Sequence, residues 1–346
     1  MWERLQTIAV MLDHVKLLDV AKAAGVSVST VSRVVNGDEN VRASTRERVE
    51  KVMERLRYHP NLHARSLVEG SSRILGVIVS NLDNPFFLDV YRRLETLAYA
   101  NGFETLLLAS HYDAARLREG IRSLIGQRVA GIAAIVSEMQ DDVLDELDGT
   151  GIPVVCYDFT SQRGLTNIRS NYGKGMRQLV EYLYSLGHRR MALVAYRIAL
   201  GSTEDRRRAF LETMASHKAP AHVFSPAADG PQGGREAVAE LLESGFDATA
   251  IICINDVTAV GVLKELAERR IAVPRELSVA GFDNIQLGQY TIPSLTTVNV
   301  PRDRIAELAF EALRKHARGD TERGREFVLE PDLIVRGSTG ICARKG

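Results

Sequence analysis

A chain of 346 residues with 45% hydrophobic content is longer than one typical core can use, so two or three domains are expected. Its 44 Lys and Arg balance 44 Asp and Glu, and a net charge of +0 excludes indiscriminate attraction to nucleic acid; any grip on phosphate must come from a local patch. Neither a signal peptide nor an apolar run of about eighteen residues is present, which argues against export or membrane insertion and predicts a cytoplasmic protein.

Residues 1–15 read as an N-terminal extension. Residues 17–36 then read as helix, sharp turn and helix: Asp19 caps the first helix, Val20, Ala21 and Ala24 share its inner face, and Gly25 permits the turn. Ser27 caps the second helix, whose Val31, Val34 and Val35 face inward. Val28, Ser29, Ser32 and Arg33 are left outward. A face this small fits a major groove about 12 Å wide, where Arg33 can pair with a guanine edge. Taken alone, helix–glycine–helix also describes an ordinary αα-hairpin. A third helix over residues 41–59, with Ser44 and Glu47 at capping-box spacing, supplies the partner that closes a small core. Arg33, Arg42, Arg46, Arg48, Lys51, Arg55, Arg57 and Arg65 form the local basic patch, diluted by acidic neighbours. His59 and Pro60 stop the third helix, and a short segment that can be helical runs from Leu62 to Val68.

From residue 72 apolar runs alternate with amphipathic helices. Strands are expected at 74–80, 104–109, 131–136 and 154–158, with helices near 86–101, 113–127 and 140–148. A second round has strands at 191–195, 222–224, 250–254 and 278–282, with helices near 172–186, 204–217, 233–243 and 256–270. This α/β pattern predicts two doubly wound lobes with parallel sheets. Ligands collect at the carboxyl ends of such strands. The candidates there are Phe86 and Phe87, one offering a ring to a ligand and the other packing in the core, and Asp158 and Asp283, which end apolar strands. Asp256 is read as the cap of the helix it opens and Asn255 as the ligand contact.

The ordered series DVAKAAGVSVSTVSRVVNG, VRASTRERV, YHPNLHARSL and SNLDNPFF resembles the lactose/purine repressor family of bacterial transcription regulators, over about residues 16–340. The resemblance implies a helix-turn-helix DNA-binding domain over residues 16–59, a hinge helix and linker over 60–71, and a periplasmic-binding-protein-like core over 72–346. Lobe 1 would hold residues 72–170 and 299–330, and lobe 2 residues 171–298 and 331–346. It puts Val28, Ser29 and Arg33 on the base-reading face and Ser27, Thr30, Ser32 and Asn36 near the phosphates. Asn61, Ala64, Arg65 and Leu67 fall on the minor-groove hinge, with Leu67 as the wedge that kinks the duplex. In the cleft it adds Ser202 and Arg206, the latter holding an effector by its guanidinium fork opposite Asp283. Purine-binding members carry an arginine where this chain has Leu200 and an aromatic residue where it has Asp229, which points to a sugar-like effector rather than a purine. The implied protein is a homodimer, or a tetramer, on palindromic double-stranded operator DNA, repressing carbohydrate-utilisation genes and contacting no membrane. Effector release of DNA and effector promotion of binding both remain open.

Other classes fit poorly. A transport component has no use for residues 17–67. An enzyme would need a site, and the chain has no G-x-S-x-G elbow, no phosphate-binding G-x-x-x-x-G-K-[ST] loop and only scattered histidines. Cys156, Cys253 and Cys342 are few and far apart and read as structural thiols; no catalytic residue, metal or cofactor is expected.

Overall fold

The computed structural model describes residues 15–58, 72–147, 149–159, 165–197, 201–317 and 324–343. The chain divides into two compact units, residues 1–72 and 73–346.

In the first unit, α1 (Leu17–Ala24), α2 (Val28–Val35) and α3 (Ala43–Leu56) enclose a core of Val20, Ala21, Ala24, Val31, Val34, Val49 and Val52. Val35 lies at its edge, only partly buried. Gly25 adopts φ 62°, and the N–H of Val26 returns to the Ala21 carbonyl at 3.1 Å, ending α1 on a left-handed residue that favours glycine. Ser27 caps α2 as expected, its Oγ accepting from the Thr30 N–H at 3.1 Å.

Two caps differ from expectation. The first helix begins two residues before Asp19, so Asp19 sits in the first turn and its carboxylate accepts from the Lys16 N–H at 2.9 Å. The third helix starts at Ala43 behind Arg42, which places Ser44 inside the first turn; Glu47 instead pairs with Lys51 at 2.8 Å. Asn61, Ala64, Arg65, Leu67 and Leu200 lie outside the described residues.

The second unit holds two parallel sheets. The first comprises β1 (Ile74–Val79), β2 (Glu104–Ala109), β3 (Gly131–Ile135), β4 (Val154–Tyr157), β5 (Thr166–Ser170) and β11 (Glu326–Leu329), in the order β11-β5-β4-β3-β1-β2. Against it pack α4 (Pro85–Ala100), α5 (Ala114–Gly126), α6 (Asp141–Asp145) and α11 (Arg302–Ala317). The second sheet comprises β6 (Met191–Val194), β7 (Ala221–Phe224), β8 (Ala250–Cys253) and β9 (Ser278–Ala280), in the order β7-β6-β8-β9. Its helices are α7 (Tyr172–Ser185), α8 (Gly201–Ser216), α9 (Gly230–Ser244) and α10 (Asp256–Glu268).

Strands β1 to β4 and β6 to β9 are the eight expected, mostly shorter by a residue or two. Strands β5 and β11, and the antiparallel ribbon of β10 (Thr297–Asn299) with β12 (Asp332–Ile334), were not anticipated. The chain passes between the sheets three times, after β5, after β10 and after β11. One apolar cluster runs through both lobes, from Val77 and Leu94 to Ile252 and Phe282, and a further cluster lies on the other face of each sheet.

In lobe 2 the helices α9 and α10 touch through backbone. A Cβ on Gly261 would stand 1.9 Å from the Pro231 carbonyl oxygen, and one on Gly234 would stand 2.2 Å from that of Thr258. Cys156 and Cys253 are fully buried and Cys342 partly so; burial pushes the Cys156 thiol up to about 12, which leaves it inert.

Candidate functional site

The carboxyl ends of both sheets meet in a cleft lined by Asn84, Phe86, Phe87, Tyr112, Ser137 and Tyr157 from lobe 1, and Tyr172, Tyr196, Ser202, Thr203, Arg206, Asn255 and Asp283 from lobe 2. The cavity measures about 30 Å³, so the lobes are drawn together around side chains. Ligand pockets run to about 300–1,000 Å³, so with the lobes in this arrangement the cleft is too small for a typical ligand.

Arg206 lies at the centre and is only 7% exposed. Its position on α8 brings Nε to the Ser202 carbonyl at 3.1 Å and Nη1 to the Ile254 carbonyl at 2.7 Å. Its guanidinium carbon stands 4.8 Å from the Tyr172 ring and 4.9 Å from the Phe282 ring, so two aromatic faces help to compensate the buried charge. Two carbonyls use only part of a five-donor fork, leaving donors for a ligand. Nη1 lies 3.7 Å from Asp283 Oδ1, an ion pair too long for a hydrogen bond.

Asp283 adopts φ 104° and is followed by Asn284 at φ 56°, a left-handed pair without glycine. Asn284 is held on every side: Arg302 donates to its carbonyl at 2.7 Å, Arg336 to its side-chain oxygen at 2.6 Å, and its own amide groups donate to Thr297 and Asn299. Strain of this kind persists only where surrounding bonds fix it. Burial pushes the Asp283 carboxyl up to about 6, against the pull of the Arg206 and Arg302 charges and a hydrogen bond from Asn84.

Asp158 is likewise raised to about 6 by burial, but its carboxylate is taken by the Ser170 N–H at 2.9 Å and the Tyr172 hydroxyl. It supports the cleft through Tyr172 and does not line it. Asn255 both lines the cleft and caps α10, accepting from the Thr258 N–H at 2.9 Å while its amide donates to Tyr196. The cap expected at Asp256 therefore falls one residue earlier. Asp256 itself is fully buried, accepting from Thr297 at 2.6 Å and from the Ile285 N–H at 2.8 Å. Phe86 and Phe87 both open α4, both are buried and both line the cleft, edge to face at 5.2 Å. Asp229 is exposed and is not among the side chains that line the cleft.

Sequence reasoning missed the tyrosines. Tyr112, Tyr157 and Tyr196 each follow or end an apolar run, where an aromatic reads as core, and Tyr172 opens a helix behind the mixed strand β5; their shared signal was position at a strand's carboxyl end. Burial holds the Tyr196 hydroxyl up at about 12, so it stays a hydrogen-bond donor.

On the helical unit, Val28 is 40% exposed, Ser29, Arg33 and Asn36 are exposed, and Ser32 and Thr30 are half-buried. The Ser27, Ser29 and Thr30 hydroxyls join at 2.8 Å across the start of α2. Arg33 is free enough to reach out: its contact with Asp38 is 3.9 Å and its side chain is 68% exposed. Among the described residues, no group of three or more His, Cys, Asp or Glu side chains can hold a metal ion, and no helix is long and apolar enough to cross a membrane.

Comparison with known proteins agrees at both ends. Residues 16–61 match the family described as bacterial regulatory proteins, lacI family, and residues 180–339 match a periplasmic binding protein-like domain. The HTH-type transcriptional repressor PurR of Vibrio parahaemolyticus is 32% identical over 326 residues, covering 92% of this chain and 96% of that protein. The crystal structure of the Lac repressor dimer bound to operator and the anti-inducer ONPF superimposes with a TM-score of 0.81 at 27% identity, over 95% of this chain and all of that one. A LacI family regulator from Enterococcus faecium with bound ribose gives a TM-score of 0.71 at 27% identity, over 78% of this chain and 99% of the other. With a helix-turn-helix head, a two-lobed core and likeness over nearly its whole length, the chain is a DNA-binding transcriptional regulator and belongs to the lacI family of bacterial regulatory proteins.

Proposed function

We propose that the protein is a cytoplasmic homodimeric repressor of carbohydrate-utilisation genes whose operator affinity is set by a neutral, polyhydroxylated effector in the cleft. The observation that carries this is Arg206 facing Asp283 within a wall of hydroxyl-bearing side chains. A guanidinium donates and a carboxylate accepts, so the pair fits adjacent hydroxyls of a sugar, with an aromatic face against the ring. Among the described residues that line the cleft Asp283 balances the single guanidinium of Arg206, and no second cation lines it, which disfavours an anionic ligand. The relative with bound ribose supports the same class.

A nucleobase is the second reading, favoured by the six aromatic rings on the cleft and by the PurR relatives.

In the dimer, two heads read half-sites about one helical turn apart through Val28, Ser29 and Arg33, with Ser27, Thr30, Ser32 and Asn36 on the backbone. Asn61, Ala64, Arg65 and Leu67 contact the minor groove, with Leu67 as the wedge. An effector that prefers one lobe angle shifts operator affinity by its differential affinity, about 1–3 kcal/mol in typical cases. The test is a thermal-shift panel of pentoses, hexoses and nucleobases, followed by operator titration with each compound that binds. A bound compound at 100 times its Kd should stabilise the core by about 2.7 kcal/mol. Failure to prefer any promoter fragment over bulk genomic DNA, with or without these compounds, overturns the reading.

A further inference from the structure

Glu138 follows β3 and is 7% exposed, yet its carboxylate meets no cation in the structure's hydrogen bonds. It accepts instead from the Ser80 hydroxyl at 2.6 Å, from the Ser110 hydroxyl, and from the Ser137 N–H at 3.1 Å. Ser80 directly follows β1 and Ser110 directly follows β2; with β3 these are three adjacent strands of the sheet. The Ser137 N–H also reaches Ser80 Oγ at 2.9 Å, so the three strand ends close on one another around a single acceptor. A buried carboxyl group is a costly way to hold strands together when apolar packing would do as well, so its presence asks for another reason.

The reason lies in what hangs from the three ends. Ser137 itself lines the cleft. Ser80 leads into the segment that carries Asn84, Phe86 and Phe87. Ser110 leads into His111 at φ 55° and Tyr112 at φ 59°, two successive left-handed residues without glycine, before Asp113 caps α5 through the N–H groups of Ala115 and Arg116. That turn sets the Tyr112 ring 6.5 Å from Phe87 at the cleft. Its strained backbone is closed by the Asp113 N–H on the Ser110 carbonyl at 3.1 Å, and it is held on one side by the cap and on the other by Ser110, whose N–H donates to the Val79 carbonyl at 3.0 Å and whose hydroxyl donates to Glu138.

We propose that Glu138 is a positioning residue of the effector cleft: by joining the ends of β1, β2 and β3 it fixes the lobe 1 wall, and above all Tyr112, in the geometry that receives the ligand. This rests on the cleft being the effector site. The carboxylate touches no ligand itself. It acts through Ser110 on Tyr112 and through Ser137 and Ser80 on the neighbouring wall.

The test uses the full chain with Trp2→Phe and Tyr112→Trp, making position 112 the sole tryptophan, with and without Glu138→Gln or Ser110→Ala. Released from its clamp, the indole at position 112 should emit at longer wavelength and be quenched more readily by acrylamide, in both variants. A role in stability alone would lower the melting temperature and leave emission unchanged in the folded state. In the chain with Tyr112 retained, Glu138→Gln should weaken the best-binding sugar or nucleobase of the panel by about tenfold or more, as loss of a supporting shell does, while ligand-free operator affinity stays within about twofold. Unchanged emission and quenching in both variants overturn the proposal, and so does undiminished ligand affinity in folded Glu138→Gln. Should no compound bind the unaltered protein, the cleft reading fails by itself, and the indole fluorescence still decides whether Glu138 positions that wall.

Discussion

Arg206 and Asp283 stand 3.7 Å apart at the centre of the cleft, each under a tenth exposed, one reaching in from a helix and the other from a strained strand end. Neither is independent of the other, since removing one leaves the partner charge buried. Arg206→Met should therefore lower stability by about 3–5 kcal/mol as well as abolish the effector response. Urea denaturation beside operator titration separates the two effects. A variant that keeps both stability and response would show that the pair is idle.

Stability should run with pH in two opposing senses. Burial raises Asp158 and Asp283 to about 6, above the ordinary 3.8, so the folded state holds protons that the unfolded chain has released. Their contribution is complete below the ordinary carboxylate value and is lost as pH rises through 6. His188 goes the other way. It is 2% exposed, between Thr249 and the Gly340 carbonyl, and burial lowers its pKa below 6.5, so its contribution is complete above that value and is lost on acidification. Denaturation at pH 5, 6 and 7 should show Asp283→Asn reducing the fall on the alkaline side and His188→Gln reducing the loss on the acid side.

At the head, Arg33→Ala should lower operator affinity by about 1–3 kcal/mol, concentrated at one base pair, and leave effector binding alone. Competition titrations over single-base operator variants measure this. Equal losses on every sequence would reassign Arg33 to phosphate.

Glycines separate cleanly by what surrounds them. Gly261→Ala drives a methyl into the Pro231 carbonyl and should cost about 1–3 kcal/mol by overpacking. Gly126 ends α5 at negative φ with nothing within 4 Å, so Gly126→Ala should be neutral or stabilise by up to about 1 kcal/mol. Denaturation midpoints rank the two.

The parallel α/β architecture was legible because β1 to β4 and β6 to β9 are apolar runs broken by helical periodicity, and the head because Gly25 and Ser27 mark its turn. Strands β5 and β11 were not: Thr166–Ser170 is the mixed sequence TNIRS, and the β11 segment Glu326–Leu329, EFVL, is apolar but only four residues long, an edge strand too short to show a period. In the cleft, strand ends pointed to Asp283 and Asn255, but not to Glu138, whose environment is built by two serines 58 and 28 residues away. Asp19 and Ser44 were misplaced as caps because each helix starts earlier than its first good capping residue. The spacing of hydroxyls and carboxylates in sequence carries no record of contacts made across a sheet.

The order of the strands bears on synthesis. Helix α11 and edge strand β11 return to lobe 1 only after all four strands of the second sheet have been translated. A nascent chain ending near residue 300 thus carries an uncapped sheet edge and a bare apolar face where Ile305, Leu308 and Leu313 will later pack, the kind of surface on which folding intermediates aggregate. A truncation that removes everything from about residue 302 onward therefore injures the first lobe made as much as the last.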